Sequence, residues 1–112
     1  MDSFLKFSVL FDYYGSLLTE TQQNICDMYY NQNLSLTETA EDLGITKQGV
    51  RDALKKAEKL LLKYEDSLHI KEKNEQISCL LQSIEEKLST CDIADDIKSE
   101  VSKLAEQINS LI

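Results

Sequence analysis

The stretch LTETAEDLGITKQGVRDALKKAEKLLL, residues 36–62, constrains the fold of this 112-residue chain more than any other part of it. Apolar residues recur at helical spacing on both sides of Gly44, which predicts two helices joined by a tight turn. Ala40 is small enough for the second helix to approach closely, and Gly44 suits a turn with a left-handed backbone. Thr46 is placed to cap the second helix through its hydroxyl group. This arrangement is typical of a DNA-binding helix-turn-helix.

The second helix of this motif is predicted to run from Lys47 to at least Leu62 and to bury one of its faces. Ile45, which precedes it, is expected to fill the crevice between the two helices. On a helical wheel, six residues share the face that points into the domain: Val50, Ala53, Leu54, Ala57, Leu60 and Leu61. An amphipathic helix of this kind leaves its other side to solvent or to a ligand.

Positive charge is concentrated on that other side. The net charge of the chain is −8, yet residues 47–63 carry +4, whereas residues 1–46 and 64–112 carry −6 each. Four cations, here called the basic row, follow one another at four-residue steps: Lys47, Arg51, Lys55 and Lys59. Because like charges at this spacing repel, helix stability does not favour the row. A charged row is usually only a solvated face, but behind a helix-turn-helix it predicts contact with phosphates or bases.

Gly49 lies inside the predicted helix, where glycine costs about 1 kcal/mol relative to alanine. One interpretation is that the missing side chain lets a base pair or a phosphate approach closely. The other is that it relieves crowding against the first or second helix of the domain, since tight packing is an equally common use of glycine. The sequence leaves both interpretations open.

Three shorter helices are predicted before Lys47, and the third of them is the first helix of the helix-turn-helix. The first begins with a cap at Asp2 or Ser3 and ends at about Tyr14. Its wide apolar stripe is interpreted as core, because large exposed apolar patches are rare on soluble monomers. The residues of this stripe are Phe4, Phe7, Leu10, Phe11 and Tyr14.

The next two helices each open at a capping box. Thr19 and Gln22 begin the helix ETQQNICDMYYNQ, whose predicted inner residues are Ile25, Met28 and Tyr29. Ser35 and Glu38 begin the following helix, which is predicted to cover residues 36–43.

After a polar break, two further amphipathic helices are predicted. The first carries the stripe Ile77, Leu80, Leu81, Ile84 and Leu88. A turn follows at Ser89 to Asp92, and Asp92 is expected to cap the last helix. That helix carries Ile93, Ile97, Val101, Leu104, Ile108 and Leu111, and from Ile97 onward the 4-3-4-3 spacing is that of a coiled-coil seam.

The chain is therefore predicted to be all-α, with a helix-turn-helix domain at residues 1–67 and an αα-hairpin at residues 68–112. A two-helix hairpin is too small to be stable alone. It must pack either on the first domain or on a second copy of the chain, and we expect self-association.

Several function classes are disfavoured by the sequence. No stretch approaches the roughly 20 apolar residues that span a bilayer, and the N-terminus lacks the features of a signal peptide. Cys26, Cys79 and Cys91 fit neither a disulfide framework nor a C-x-x-C metal pattern, and the single His69 is interpreted as a partly exposed surface residue. No catalytic motif is present. We therefore expect a cytoplasmic protein without enzymatic activity or a cofactor.

Two binding functions remain open. The first is recognition of duplex DNA by the exposed first turns of the basic helix, with Lys59 and Lys63 further along touching phosphates. Arg51 or Lys47 would bond guanine and Gln48 would pair with adenine, whereas Asp52 would accept from cytosine or pair with a neighbouring lysine. The candidate contact residues are Thr46, Lys47, Gln48, Arg51, Asp52, Lys55 and Lys59. The second function is that of an accessory protein that binds structured RNA or an acidic protein surface.

Two family resemblances accompany these residues. The stretch SLTETAEDLGITKQGVRDALKKAEKLL resembles the helix-turn-helix of sigma-factor region 4 and of the LuxR type, in which a capped helix, A-x-x-L-G-[IV]-[ST] and a recognition helix follow in order. Thr39 stands where isoleucine is more usual in such motifs. Nearly the whole chain is similar to the YlxM family of Firmicutes and related bacteria, on FDYYGSLLTETQQNICDMYYNQNLSLTETAEDLGITKQGVRDALKKAEKLLLKYE followed by two acidic helices.

The YlxM resemblance implies a small cytoplasmic DNA-binding-like protein encoded beside the signal recognition particle GTPase. It implies a role in, or regulating, the signal recognition particle pathway. Carried onto this chain, it implies binding through Thr46, Lys47, Gln48, Arg51 and Lys55.

Overall fold

The computed structural model of the protein describes residues 3–112. Within that range it contains six α-helices and no β-strand, which confirms the all-α prediction: α1 (Ser3–Tyr14), α2 (Glu20–Cys26), α3 (Leu36–Leu43), α4 (Lys47–Leu68), α5 (Ile70–Thr90) and α6 (Asp95–Ser110). Asp2, one of the two residues predicted to cap α1, lies outside the described residues. The chain divides into two compact units, the first ending at His69 and the second spanning Ile70–Ile112. None of the helices described is both long and apolar enough to cross a bilayer.

The core of the first unit forms around α4, which packs against α1, α2 and α3. The predicted inner face of α4 is confirmed, because Val50, Leu54, Ala57 and Leu61 are buried, with Ala53 and Leu60 partly buried beside them. The predicted stripe of α1 also lies in this core, where three phenylalanines pack against buried leucine and tyrosine side chains. The other buried hydrophobic residues are Leu10, Tyr14, Leu18, Ile25, Cys26, Tyr30 and Ala40.

Both predicted capping boxes are present. The Thr19 hydroxyl accepts from the Gln22 N–H at 3.2 Å, and the Gln22 side chain accepts in return from the Thr19 N–H at 3.0 Å. Ser35 and Glu38 make the same reciprocal pair at 3.0 and 3.1 Å. These bonds satisfy amides that a helix N-terminus otherwise leaves unpaired, and α3 accordingly has the predicted bounds, Leu36–Leu43.

The second predicted helix changes its winding after Cys26. The segment Asp27–Asn31 is π-helical, and the N–H of Gln32 donates to the carbonyl of Asp27 at 3.0 Å. The Asp27 carboxylate accepts from the side chains of Asn31 and Gln32, both at 2.8 Å, and these bonds lower the pKa of the carboxyl group. In a π-helical turn the N–H of one residue bonds the carbonyl five residues earlier, so the turn holds more residues than an α-helical turn. The side chains that follow it therefore point in other directions than regular α-helical spacing predicts.

This rotation changes which side chains reach the core. Ile25 is buried and Tyr29 packs against the core, both as predicted, whereas Met28 is only partly buried and Tyr30, which was not predicted, is buried. The predicted inner face was wrong at Met28 and Tyr30 because it assumed regular α-helical spacing throughout.

α4 ends at Leu68 because His69 adopts a left-handed backbone with φ of 55°. The N–H of His69 donates to the Glu65 carbonyl at 2.9 Å, which closes the last turn. Histidine visits this conformation more readily than most residues other than glycine, asparagine and aspartate. The His69 side chain is exposed, in agreement with its interpretation as a surface residue.

In the second unit, α5 and α6 pack on each other through a contact centred on Leu81 and Ala105. α6 begins at Asp95 after an N-cap at Ala94, so the predicted cap at Asp92 is wrong. Asp95 and Asp96 stand in the first turn, where negative charge complements the N-terminal amides in place of a side-chain cap. Most of the predicted apolar stripe lies outside the contact: Leu80, Ile84, Ile97, Leu104, Ile108 and Leu111 are exposed.

Candidate nucleic-acid interface

The turn between α3 and α4 has the predicted geometry. Gly44 has a φ of +67°, a conformation that glycine adopts without steric cost. The reason for glycine is this conformation and not lack of space, because a Cβ at this position would meet no atom within 4 Å. The N–H of Ile45 donates to the Ala40 carbonyl at 3.1 Å and the N–H of Gly44 to the Glu41 carbonyl at 3.3 Å, which together form a Schellman motif. Three residues therefore separate the end of α3 from the first turn of α4.

The inner side of the helix-turn-helix is tightly packed. Ala40 is buried, as predicted for a small residue between two crossing helices, and Val50 is buried on α4. Thr39 is fully buried, and its hydroxyl donates to the Ser35 carbonyl at 2.9 Å. A threonine is thus accepted where isoleucine is more usual, because its polar atom is satisfied within α3.

Ile45 does not fill the crevice between the helices, and that prediction was wrong. Its side chain is 45% exposed. The left-handed Gly44 turns the chain outward, and Cδ1 of Ile45 lies 3.9 Å from the point where a Cβ of Gly49 would stand. Ile45 therefore covers the outside of the first turn of α4.

Thr46 caps α4 as predicted, because its Oγ1 accepts from the Gly49 N–H at 2.9 Å. A Cβ on Gly49 would lie 3.1 Å from this same oxygen, and its only other neighbour within 4 Å is Ile45. No atom of α1 or α2 among the described residues lies within 4 Å of that point, so crowding against the first or second helix does not explain Gly49. The cap is the group that an added methyl would disturb.

The basic row lies on the exposed side of α4. Lys47, Arg51, Lys55 and Lys59 are all exposed, as are Lys56 and Lys63. None of these six cations forms an ion pair with any residue between positions 3 and 112. At 1.5 Å of rise per residue, the row extends for about 18 Å along the helix. Exposed lysine and arginine side chains are the groups that neutralise backbone phosphates when a protein binds a duplex.

The first two turns of α4 also carry a hydrogen-bonded network. The Gln48 Nε2 donates to Asp52 Oδ1 at 2.9 Å, and Arg51 Nη1 donates to Gln48 Oε1 at 3.3 Å. All three side chains are exposed. Asp52 thus bonds the amide of Gln48 and forms no ion pair with Lys55 or Lys56 among the described residues, contrary to one of its two expected roles.

Two tyrosine–carboxylate pairs fix α4 in place beneath this surface. The Tyr30 hydroxyl donates to Glu58 Oε1 at 2.9 Å, and the Tyr14 hydroxyl donates to Oε1 of Glu65. Burial, the hydrogen bond to Glu58 and the charge of that residue raise the pKa of Tyr30 above its usual range. Sequence analysis did not find these pairs, since their partners are 28 and 51 residues apart.

The described residues contain no group of three or more His, Cys, Asp or Glu side chains arranged to hold a metal ion. Cys26 is fully buried, and burial, followed by the charge of Glu58, raises the pKa of its thiol from 9.0 to about 12. Cys79 and Cys91 are exposed, and none of the three cysteines is in a disulfide.

Comparison with known proteins gives a consistent result. A family model described as UPF0122, "putative helix-turn-helix protein, YlxM / p13 like", matches residues 1–109. A UPF0122 protein of Desulforamulus reducens is 50% identical over 78 residues, which cover 70% of this chain and 67% of the relative. One from Clostridium kluyveri is 40% identical over 100 residues, 89% of this chain and 85% of the relative. One from Clostridium novyi is 35% identical over 112 residues, 100% of this chain and 96% of the relative.

Proposed function

Because the chain belongs to the UPF0122 family of YlxM/p13-like putative helix-turn-helix proteins, we propose that it binds duplex DNA through the exposed side of α4. In this proposal it acts as a regulatory protein of the cytoplasm, where its free cysteines stay reduced. The proposed contact residues are Thr46, Lys47, Gln48, Arg51, Lys55 and Lys59. We propose a binding role without catalysis.

The observation that carries this proposal is the basic row, which is part of a group of six exposed cations on α4 that form no ion pair with the described residues. Half of the 12 basic residues of the chain lie in this one segment, although the chain has 20 acidic residues. The six cations stand directly after a well-formed Schellman turn and a capped N-terminus. In a helix-turn-helix, this is the helix that enters the major groove.

A salt titration of binding tests the proposal. The full chain is titrated with a 20-base-pair duplex of mixed sequence at several salt concentrations, and the slope of log K against log salt is measured. Four phosphate contacts give a slope of about −3.6, since each contributes about −0.9. The Arg51→Glu variant is expected to bind at least about tenfold more weakly while keeping its helical content, because the side chain is exposed.

Lys73→Glu is the matched control, because it makes the same charge change at an exposed position on α5. It is expected to bind duplex DNA within about twofold of the wild type, since Lys73 is not among the proposed contact residues. If Arg51→Glu binds as well as the wild type, α4 is not the contact surface.

A second candidate is a non-catalytic accessory role in which α4 contacts structured RNA, such as the signal recognition particle RNA, or a protein of that pathway. The charge distribution favours it, because the segments on either side of residues 47–63 carry −6 each and repel a long polyanion. A folded RNA hairpin that binds more tightly than the duplex at the same salt concentration would favour this role over DNA binding.

We also propose that the second unit joins two copies of the chain. The exposed apolar side chains of this unit include Leu80 and Ile84 on α5, Ile97, Leu104 and Ile108 on α6, and Leu111 just after α6, with exposures from 44% for Ile84 to 85% for Leu111. On both helices they lie to one side of the Leu81–Ala105 contact, whereas polar residues line the groove on the other side: Ser78, Gln82, Glu85, Glu106 and Asn109. Monomeric proteins rarely leave so large an apolar face uncovered.

The spacing along α6 favours a second copy as the partner. In the heptad defined by the 4-3-4-3 spacing, Val101 and Ile108 fall at a positions, and Leu104 and Leu111 at d positions. β-Branched residues at a positions, with leucine at d positions, favour two-stranded coiled coils. A symmetric pair of hairpins would bury one apolar face against its copy and present two α4 helices to a DNA duplex.

A further inference from the structure

The side chains around Gln48 fix the orientation of its amide group. A glutamine amide has two N–H donors and an oxygen with two lone pairs, and the two ends are similar in shape. Asp52 is an ionised carboxylate that only accepts, so the amide nitrogen must face it, at 2.9 Å. Arg51 only donates, so the amide oxygen must face it, at 3.3 Å. The opposite orientation would place like groups against each other at both ends.

This orientation leaves one donor and one acceptor of Gln48 free. The network uses one N–H and one lone pair, so the amide keeps one of each for a ligand. The major-groove edge of adenine offers the complementary pair, the N7 acceptor and the N6 amino donor. No other base presents an acceptor and an amino donor side by side on that edge.

The Asp52 carboxylate bonds Gln48 and does not neutralise the cations beside it. It stands one residue after Arg51 and three and four residues before Lys55 and Lys56, yet it forms no ion pair with any described residue. A carboxylate amid these cations also repels phosphates and so weakens non-specific binding. The contact that Asp52 does make is the hydrogen bond to the Gln48 amide, at 2.9 Å.

We propose that Gln48 reads one adenine in duplex DNA and that Asp52 is the positioning residue that holds its amide for this contact. The inference rests on the proposed DNA-binding function and adds to it the base recognised and the side chain that sets the preference. Arg51 bonds Gln48 through one of its donors and keeps others for a phosphate or a guanine.

The test uses the full chain and a library of 24-base-pair duplexes randomised over the central positions, with bound sequences read out at two salt concentrations. The wild type is expected to enrich adenine at one fixed position. Gln48→Ala is expected to lose the preference at that position alone, by about tenfold, since a bidentate base contact discriminates by that order.

Asp52→Ala and Asp52→Asn separate positioning from charge. Both remove one negative charge, so both are expected to bind the whole library more tightly by a similar factor. Asparagine still offers an oxygen to Gln48 Nε2, so Asp52→Asn is expected to keep the adenine preference, whereas Asp52→Ala loses most of it.

The outcomes distinguish this inference from the function on which it rests. If the wild type binds duplexes and Gln48→Ala enriches the same sequences, or Asp52→Ala keeps the full adenine preference, the inference is wrong and DNA binding stands. If the wild type binds no duplex at low salt, the proposed function fails, and the inference fails with it.

Discussion

At the scale of single residues, Cys26 is a titratable group without solvent exposure. Its thiol is fully buried, and its pKa rises from 9.0 to about 12. Above pH 9 the unfolded chain releases this proton and the folded chain keeps it. The native state then binds more protons than the unfolded state, so stability falls as the pH rises from about 9 to 12. The slope from this one group approaches about 1.4 kcal/mol per pH unit.

The measurement is the free energy of unfolding in urea, with a reductant present, at pH 8, 9, 10 and 10.5. Cys26→Ala is expected to be less stable at pH 8 because it leaves a small cavity, and to lose less stability than the wild type above pH 9. Cys79→Ala is the control, because Cys79 is exposed, and its pH dependence is expected to match the wild type. Equal slopes for Cys26→Ala and wild type would contradict the assignment.

At the scale of helices, a partly buried hydrogen bond joins the π-helical segment to α4. The hydroxyl of Tyr30, a residue only 6% exposed, donates to the half-buried carboxylate of Glu58. Tyr30→Phe is expected to lower the free energy of unfolding by about 1.5–3 kcal/mol, because it leaves a carboxylate without its donor. Chemical denaturation at pH 7 measures this change.

Tyr13→Phe is the matched control, because Tyr13 lies at the surface of α1 and makes no hydrogen bond through its hydroxyl with the described residues. It is expected to change stability by less than about 0.5 kcal/mol. A Tyr30→Phe variant as stable as this control would show that the pair does not hold the segment on α4.

The elements differ in how far the sequence predicts them. α3 and the start of α4 were predicted correctly because each boundary has a local chemical cause: a capping box, a left-handed glycine, a threonine cap. The π-helical turn has no such signal. His69 is a weak one, because histidine is enriched in the left-handed conformation but does not require it.

The candidate site shows the same division. Periodicity alone placed the basic row on the exposed side of α4, since the helical wheel fixes which residues share a face. It did not show that Asp52 bonds Gln48 and not a lysine, because several partners lie within reach of an exposed carboxylate. Likewise, Ile45 was misplaced because an apolar residue beside a turn can cover the outside of a helix as readily as its inside.

At the scale of the whole molecule, the second unit exposes one apolar face. The contact between α5 and α6 buries Leu81 and Ala105, yet the heptad residues of α6 remain largely open, with Leu104 at 57% exposure. A helix-turn-helix that binds as a monomer usually has low affinity, and pairing two copies raises it by joining two half-sites. The apolar face of the hairpin and the DNA-binding proposal for α4 therefore predict the same assembly.

Charges placed on this face are expected to separate the copies. The variant that combines Leu104→Asp with Ile108→Asp adds two carboxylates to exposed positions and leaves the Leu81–Ala105 contact intact. Its mass in sedimentation is expected to fall to that of one 12.8 kDa chain, with helical content retained. The matched control combines Ser99→Asp with Ser110→Asp, which adds the same charge on the opposite side of α6 and is expected to keep the wild-type mass.

If the wild type already sediments as a single chain, or the apolar-face variant keeps the wild-type mass, then the face does not join two copies. If instead the two masses behave as expected, duplex affinity should fall for the apolar-face variant alone, since each α4 would then contact its half-site without a linked neighbour.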